Sequence, residues 1–195
     1  MIFHTFFSIS IFIFILIRVF YHRKAKRLRE GVKYEEGKLN TAVRAVMGLG
    51  YIGLLVVYAF YPLIFQWAEI SLPLWVRWLG TGVTLCSVLL IWWVQWALDV
   101  QFHTTLHTQV DHQLIKHGPY RWVRHPMYSA LFIMGIGWLL TTANLLIGGP
   151  LSAAILIIMS VRVKNEEVVL IDLFGDEYRN YMKRTGRFLP KLTTH

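Results

Sequence analysis

Residues 74–98 read LWVRWLGTGVTLCSVLLIWWVQWAL, twenty-five positions with Arg77 as the one charge. A helix needs roughly 20 apolar residues to cross about 30 Å of hydrocarbon, so this stretch is long enough to span a bilayer. Other blocks of the same kind lie on either side. One runs from about Ile2 to Phe20, with Arg18 near its end, and one from about Val46 to Gln66. Met127 to Leu146 forms a fourth, and Gly148 to Val161 a shorter fifth after the break Ile147-Gly148-Gly149-Pro150. The pattern predicts an all-α integral membrane protein of about five transmembrane helices, with helices four and five as a tight hairpin. The first block has no basic residues before it and no small-residue cleavage signal after it, which favours an anchor over a cleaved signal peptide.

Composition agrees with lipid as the solvent. Of the 195 residues, 55% are hydrophobic and 16% charged, against about a quarter charged in soluble domains. Cys86 is the one cysteine and lies inside an apolar block, which excludes an intrachain disulfide and a cysteine-rich metal site. The net charge of +9 could suggest nucleic acid, but its placement argues otherwise. Residues 22–44 hold eight Lys/Arg, 101–125 three and 162–195 seven. Five crossings with the N-terminus outside put all of these on one side, and Lys/Arg enrichment marks the cytoplasmic face. The run His22-Arg23-Lys24-Ala25-Lys26-Arg27-Leu28-Arg29 reads as topogenic charge, compatible with anionic lipid. Two regions follow: residues 1–100, three helices with a basic cytoplasmic loop at 22–44, and residues 101–195, a loop, two helices and a cytoplasmic tail. In the tail, Gly175 is expected to stop one helix and Asp176 to cap another that Gly186 ends.

Gly48-Leu49-Gly50-Tyr51-Ile52-Gly53 matches a dinucleotide-binding pattern but sits inside an apolar block, where small residues usually serve close helix packing. His103, His107, His112, His117 and His125 raise the question of a metal, yet no H-E-x-x-H motif completes a site and none is expected.

The chemistry concentrates in two places. The stretch from His112 to Tyr128 is polar, aromatic and turn-rich and leads straight into helix four. Pro126 pushes His125 out of helical geometry and suits the first helical position. The loop thereby brings His125, Tyr128 and unpaired backbone N–H groups to a positive helix end that favours carboxylate or phosphate. An amphipathic connector with interfacial aromatics explains the same residues. The second place is Arg162-Val163-Lys164-Asn165-Glu166-Glu167. Arg162 and Glu166 share a helix face, a modest salt bridge by itself, but acidic residues at the bilayer boundary tend to be functional or paired. A hairpin of helices four and five would return this pair to the loop and form one pocket.

With these residues the chain resembles the isoprenylcysteine carboxyl methyltransferase family, and more distantly the phospholipid N-methyltransferases. The matching elements are His112-x-Leu114-Ile115, Gly118-x-Tyr120, Arg124-His125-Pro126-x-Tyr128 and Glu166-Glu167-x-x-Leu170. The tail continues with Phe174-Gly175-Asp176-Glu177-Tyr178-x-x-Tyr181 and ends near Arg187-Phe188-Leu189-Pro190. Ala130 stands where the family often has glycine. The resemblance implies an S-adenosylmethionine-dependent methyltransferase, giving S-adenosylhomocysteine, that acts on the C-terminal carboxylate of an isoprenylcysteine. It implies donor binding by His112, Gln113, Leu114, Ile115, Tyr120, His125, Pro126, Met127, Tyr128 and Glu166. Arg162 would engage the substrate carboxylate, and Glu167 is a candidate catalytic or supporting residue. The expected partners are the bilayer of the cell membrane or endoplasmic reticulum and a prenylated or lipid-linked acceptor. The oligomeric state is left open. Two alternatives share parts of the pattern: a phospholipid amine methyltransferase, and a sterol-type reductase that would bind NADPH.

Overall fold

The computed structural model describes residues 1–28, 38–106 and 114–191. These form six α-helices: α1 (Ile2–Leu28), α2 (Lys38–Phe60), α3 (Leu74–Leu106), α4 (Pro126–Thr142), α5 (Leu145–Phe174) and α6 (Asp176–Arg184). Short 3-10 segments cover Pro62–Ala68 and Gly118–Arg121. Spans long and apolar enough to cross a membrane occupy Ile2–Lys24, Leu74–Leu98 and Leu145–Phe174. The protein is thus an all-helical, multi-pass membrane protein by length and composition.

The second expected block is broken. After Phe60 the chain bends by 109° into the Pro62–Ala68 segment. Pro62 lacks an N–H and disfavours helical geometry at Tyr61, so a helix cannot run through to Gln66. Beyond it, the Ile70 N–H donates to Ala143 O (2.8 Å) and Asn144 Nδ2 to Phe65 O (2.8 Å). The bent segment is thereby fastened to the α4–α5 turn.

That turn falls at Ala143-Asn144, before the expected Ile147–Pro150. Ala143 takes the left-handed conformation (φ 53°), and Asn144 caps α5 by accepting from the Leu146 N–H (3.1 Å). Gly148 has a different use. A Cβ there would lie 2.2 Å from Gly135 O and 2.3 Å from Leu139 N, so α4 and α5 touch backbone to backbone. On the far side of α4, a Cβ at Gly137 would meet Thr84 Oγ1 at 2.6 Å, and one at Gly80 would meet Leu140 Cβ at 2.5 Å. Helix α4 is therefore held between α3 and α5 by glycines, the close approach expected of membrane helices. Gly48, Gly50 and Gly53, expected to serve that role, have nothing within 4 Å among the described residues.

The core gathers Phe7, Ile11, Leu55, Tyr58, Val88, Ile91, Met134, Trp138 and Ile147 from five helices. Fully buried Trp138 donates from Nε1 to Ser10 Oγ (3.0 Å), and Ser10 donates onward to Phe7 O (2.7 Å). Arg77, the one basic residue that five crossings would leave on the outer side, donates from Nε to Thr141 O (3.1 Å), a carbonyl of the last turn of α4. Its guanidinium also lies 4.3 Å from the Phe3 ring centre.

Helix α5 runs unbroken through Arg162 and on to Phe174. Pro150, in its second turn, removes one donor without ending it. Gly175 (φ 52°) stops the helix, and its N–H donates to Ile171 O (2.7 Å). Gly175 also precedes α6 as its cap residue, so Asp176 is the first residue of α6 and does not cap it. Helix α6 ends at Arg184, two residues ahead of Gly186.

Candidate active site

The loop ahead of α4 is built on α3. Gly118 has φ +58°, and a Cβ there would press on Ala97 Cβ at 3.1 Å. His117 Nε2 lies 3.1 Å from Ala97 O. Pro126 occupies the first turn of α4 and His125 the cap position, with φ −122° and ψ 57°, outside the α region that a following proline disfavours.

Between this helix start and the C-terminal half of α5 lies a cavity of about 610 Å³. One wall is Tyr120, Arg124, His125, Pro126, Met127 and Tyr128; the other is Arg162, Asn165, Glu166, Val169 and Leu170. The second wall follows i, i+3, i+4, i+7, i+8, one stripe of a helix. The two sequence clusters thus meet in one place.

Their link is the Glu166 carboxylate. Its Oε1 accepts from the Tyr128 hydroxyl (2.8 Å) and from Arg162 Nε (2.6 Å). The buried His125 imidazole sits between two carboxylates, with Nδ1 3.8 Å from Glu166 Oε2 and Nε2 3.5 Å from Glu167 Oε1. Burial pushes its pKa below the ordinary histidine value, although both carboxylates oppose the shift. The ring is therefore neutral near pH 7, and Nε2 has no hydrogen-bond partner among the described residues. Burial likewise raises the Tyr120 hydroxyl, so it stays protonated.

Glu167 turns away from the cavity. It is 3% exposed, accepts from Arg124 Nε (2.8 Å) through one oxygen and is paired with Arg187 Nη2 through the other. Adjacent residues on a helix point about 100° apart, which is why Glu166 and Glu167 face different surroundings.

Of the residues expected to form the site, Tyr120, His125, Pro126, Met127, Tyr128, Arg162 and Glu166 converge on the cavity. Leu114 and Ile115 do not line it, and His112 and Gln113 lie outside the described residues. Among the described residues no group of three or more His, Cys, Asp or Glu could hold a metal. Sequence reasoning gave no role to Asn165, Val169 or Leu170, although the stripe beginning at Arg162 contains them. It also gave none to Arg187, which no local pattern ties to Glu167.

Fold and site together define a multi-helical membrane protein with a largely apolar cavity into which a few polar and charged side chains are set. Residues 78–172, from the first turns of α3 almost to the end of α5, match the model of the isoprenylcysteine carboxyl methyltransferase (ICMT) family, and the resemblance read from the motifs is borne out. The chain is 34% identical over 123 residues to the protein-S-isoprenylcysteine O-methyltransferase of Saccharomyces cerevisiae, covering 54% of this chain and 49% of that protein. The similarly named protein of Schizosaccharomyces pombe is 34% identical over 80 residues, 41% of this chain and 34% of the relative. That of Homo sapiens is 35% identical over 79 residues, 40% and 28% respectively. The chain spans half or less of the length of these curated relatives.

Proposed function

We propose that this chain is an S-adenosylmethionine-dependent methyltransferase that esterifies the C-terminal carboxylate of an isoprenylcysteine. The acceptor is a prenylated protein or a small lipid-linked molecule. The observation that carries the reading is the single cavity in which Tyr128, His125 and the Arg162–Glu166 pair meet against the apolar side chains of Val169 and Leu170. A charged donor and a greasy acceptor need such a meeting of polar and apolar walls. The match to the methyltransferase family, which contains the whole of both walls, supports it.

The residues present fit the donor. The cavity lies within the roughly 300–1,000 Å³ usual for small-molecule sites. Tyr120, His125 and Tyr128 bring polar groups to it, and Glu166 offers a carboxylate to the donor's polar groups. Tyr120, His125, Pro126, Met127, Tyr128 and Glu166 would hold it, with His112, Gln113, Leu114 and Ile115 completing the set that the motif implies. Bound there, S-adenosylmethionine would supply a methyl group on a sulfonium for in-line transfer to a nucleophilic oxygen.

Arg162 orients the acceptor. A guanidinium is planar and permanently charged, and it matches a carboxylate in a bidentate pair. Glu166, holding its Nε, fixes the plane in which Arg162 presents that charge. A C-terminal carboxyl has a reference pKa of about 3.5 and is ionised near pH 7, so no side chain needs to act as general base. Val169 and Leu170 give the same space an apolar wall, and charge-neutralising chemistry is favoured where water is kept out.

In this reading the chain crosses the membrane five times. Helices α4 and α5 form the last hairpin, residues 101–195 are the catalytic region and the cavity opens to the cytoplasm. The alignment of basic residues on one side supports that orientation. The test is calorimetric titration of the detergent-purified protein with S-adenosylhomocysteine, beside Glu166→Ala and an NADPH control. Saturable binding that the variant loses is expected; binding of NADPH alone, or of neither, would overturn the reading.

A further inference from the structure

Arg124 of the cavity wall joins Glu167 and Arg187 in a second cluster. Arg124 precedes His125, Glu167 follows Glu166, and Arg187 precedes Phe188, whose ring centre lies 6.1 Å from that of His125. Arg124 and Arg187 converge on Glu167 from the loop and from the C-terminal segment, and the Arg124 and Glu167 side chains are nearly inaccessible at 8% and 4%.

The backbone repeats the connection. The Arg124 N–H donates to Gly186 O (2.9 Å), the His125 N–H to Arg187 O (3.1 Å) and the Gly186 N–H to Trp122 O (3.0 Å). Ser129 Oγ donates to Phe188 O (2.6 Å), and Arg124 Nη1 reaches Thr185 O. Only glycine fits at 186, where a Cβ would lie 1.7 Å from Leu189 O. The segment 185–188 therefore lies as a strap along residues 122–125. Among the described residues no other element holds the His125 N–H, which lies ahead of the first turn of α4.

We infer that Glu167 is a positioning residue which, by binding Arg124 and Arg187 together, locks the strap onto the loop and so sets the His125 ring against the donor end of the cavity. The inference rests on the donor reading above. It extends the site beyond the cavity wall to Arg187, C-terminal to the residues 78–172 that the family model matches. A buried carboxylate between two guanidiniums is a geometric constraint as much as a source of stability, because removing one partner leaves a charge that must find another arrangement. Such a change at Arg187 would displace residues 186–188, and with them the hydrogen bonds to 124 and 125.

The test compares the full chain with Arg187→Gln, Arg187→Lys and Ser129→Ala, all in detergent. Amide deuterium exchange of the segment 122–129 is measured without ligand, and S-adenosylhomocysteine affinity is measured by calorimetry. In Arg187→Gln, exchange in 122–129 is expected to quicken about tenfold while α3 stays unchanged, with affinity falling about tenfold. Arg187→Lys, which keeps the charge, should recover most of both. Ser129→Ala, which alters no charge and so is the safer variant to fold, should move both in the same direction by less. Unchanged exchange in 122–129, or faster exchange throughout the molecule, would overturn the lock. Faster local exchange with wild-type affinity would overturn the positioning role. A wild-type chain that binds no S-adenosylhomocysteine would overturn the donor reading instead, and the exchange data would then decide the lock alone.

Discussion

The Tyr128 hydroxyl donates to Glu166 across 2.8 Å, joining the first turn of α4 to the C-terminal half of α5 over 38 positions of sequence. Arg162 shares the same acceptor oxygen, so one carboxylate organises the tyrosine, the guanidinium and the cavity between them. The behaviour of the site under substitution follows from that arrangement.

Tyr128→Phe removes one donor to a charged acceptor and leaves the ring in place. Donor affinity should fall by about 1.5–3 kcal/mol at most, ten- to a hundred-fold, while folding is retained. Glu166→Gln should weaken it at least as much, because Arg162 and Tyr128 then lose their common anion. Titration with S-adenosylhomocysteine checks both.

Arg162→Lys keeps the charge and loses the planar fork. The KM for a prenylcysteine acceptor should rise about tenfold, the order of one charge-assisted hydrogen bond, with donor affinity changing less. Steady-state kinetics at saturating donor would show it. An unchanged acceptor KM would remove Arg162 from the acceptor site.

Gly148→Ala forces a methyl group into the Gly135 and Leu139 backbone. About 1–3 kcal/mol of overpacking should outweigh the roughly 1 kcal/mol that alanine gains in a helix, lowering the melting temperature in detergent. Gly50→Ala, with nothing within 4 Å, should leave it unchanged or raise it.

His125 has a folded pKa depressed below its unfolded value near 6.5. Below pH 6.5 the unfolded chain therefore binds a proton that the folded chain resists. Stability should be level above about pH 7 and decline as pH falls through 6.5 toward the folded pKa. Melting curves between pH 5 and 8 should show a shallower decline in His125→Asn.

An acceptor carboxylate is already ionised, so the methyl-transfer rate should be flat from about pH 7 to 9. A rate that climbs steadily over this range would point to an amine acceptor, which must first lose a proton.

Much of this was legible in the chain itself. Blocks 74–98 and 2–20 announced α3 and α1, because period and length suffice when lipid is the solvent. The wall of the site from Tyr120 to Tyr128 was legible from Pro126 and the polar run before it. The α4–α5 turn was misplaced because Gly148-Gly149-Pro150 looks like a break. Asn144, a stronger cap, was hidden in an apolar run, and Gly148 is small for the sake of contact with Gly135. The bend at Pro62 was passed over because its flanks are as apolar as a span. The strap was unreadable for another reason: Arg187 and Glu167 are 20 residues apart with no periodic relation, and their pairing exists only in the folded chain.

Helix α5 is one uninterrupted rod of 30 residues, about 45 Å long, with its capped start at Asn144 and with Arg162 and Glu166 on its far half. When the hydrocarbon thickness around it changes, it accommodates by tilting, and the chemical groups it carries tilt with it. Arg162 and Glu166 are carried on the same helix that meets the hydrocarbon, so a change in bilayer thickness is expected to reach the site as a change in the tilt of α5.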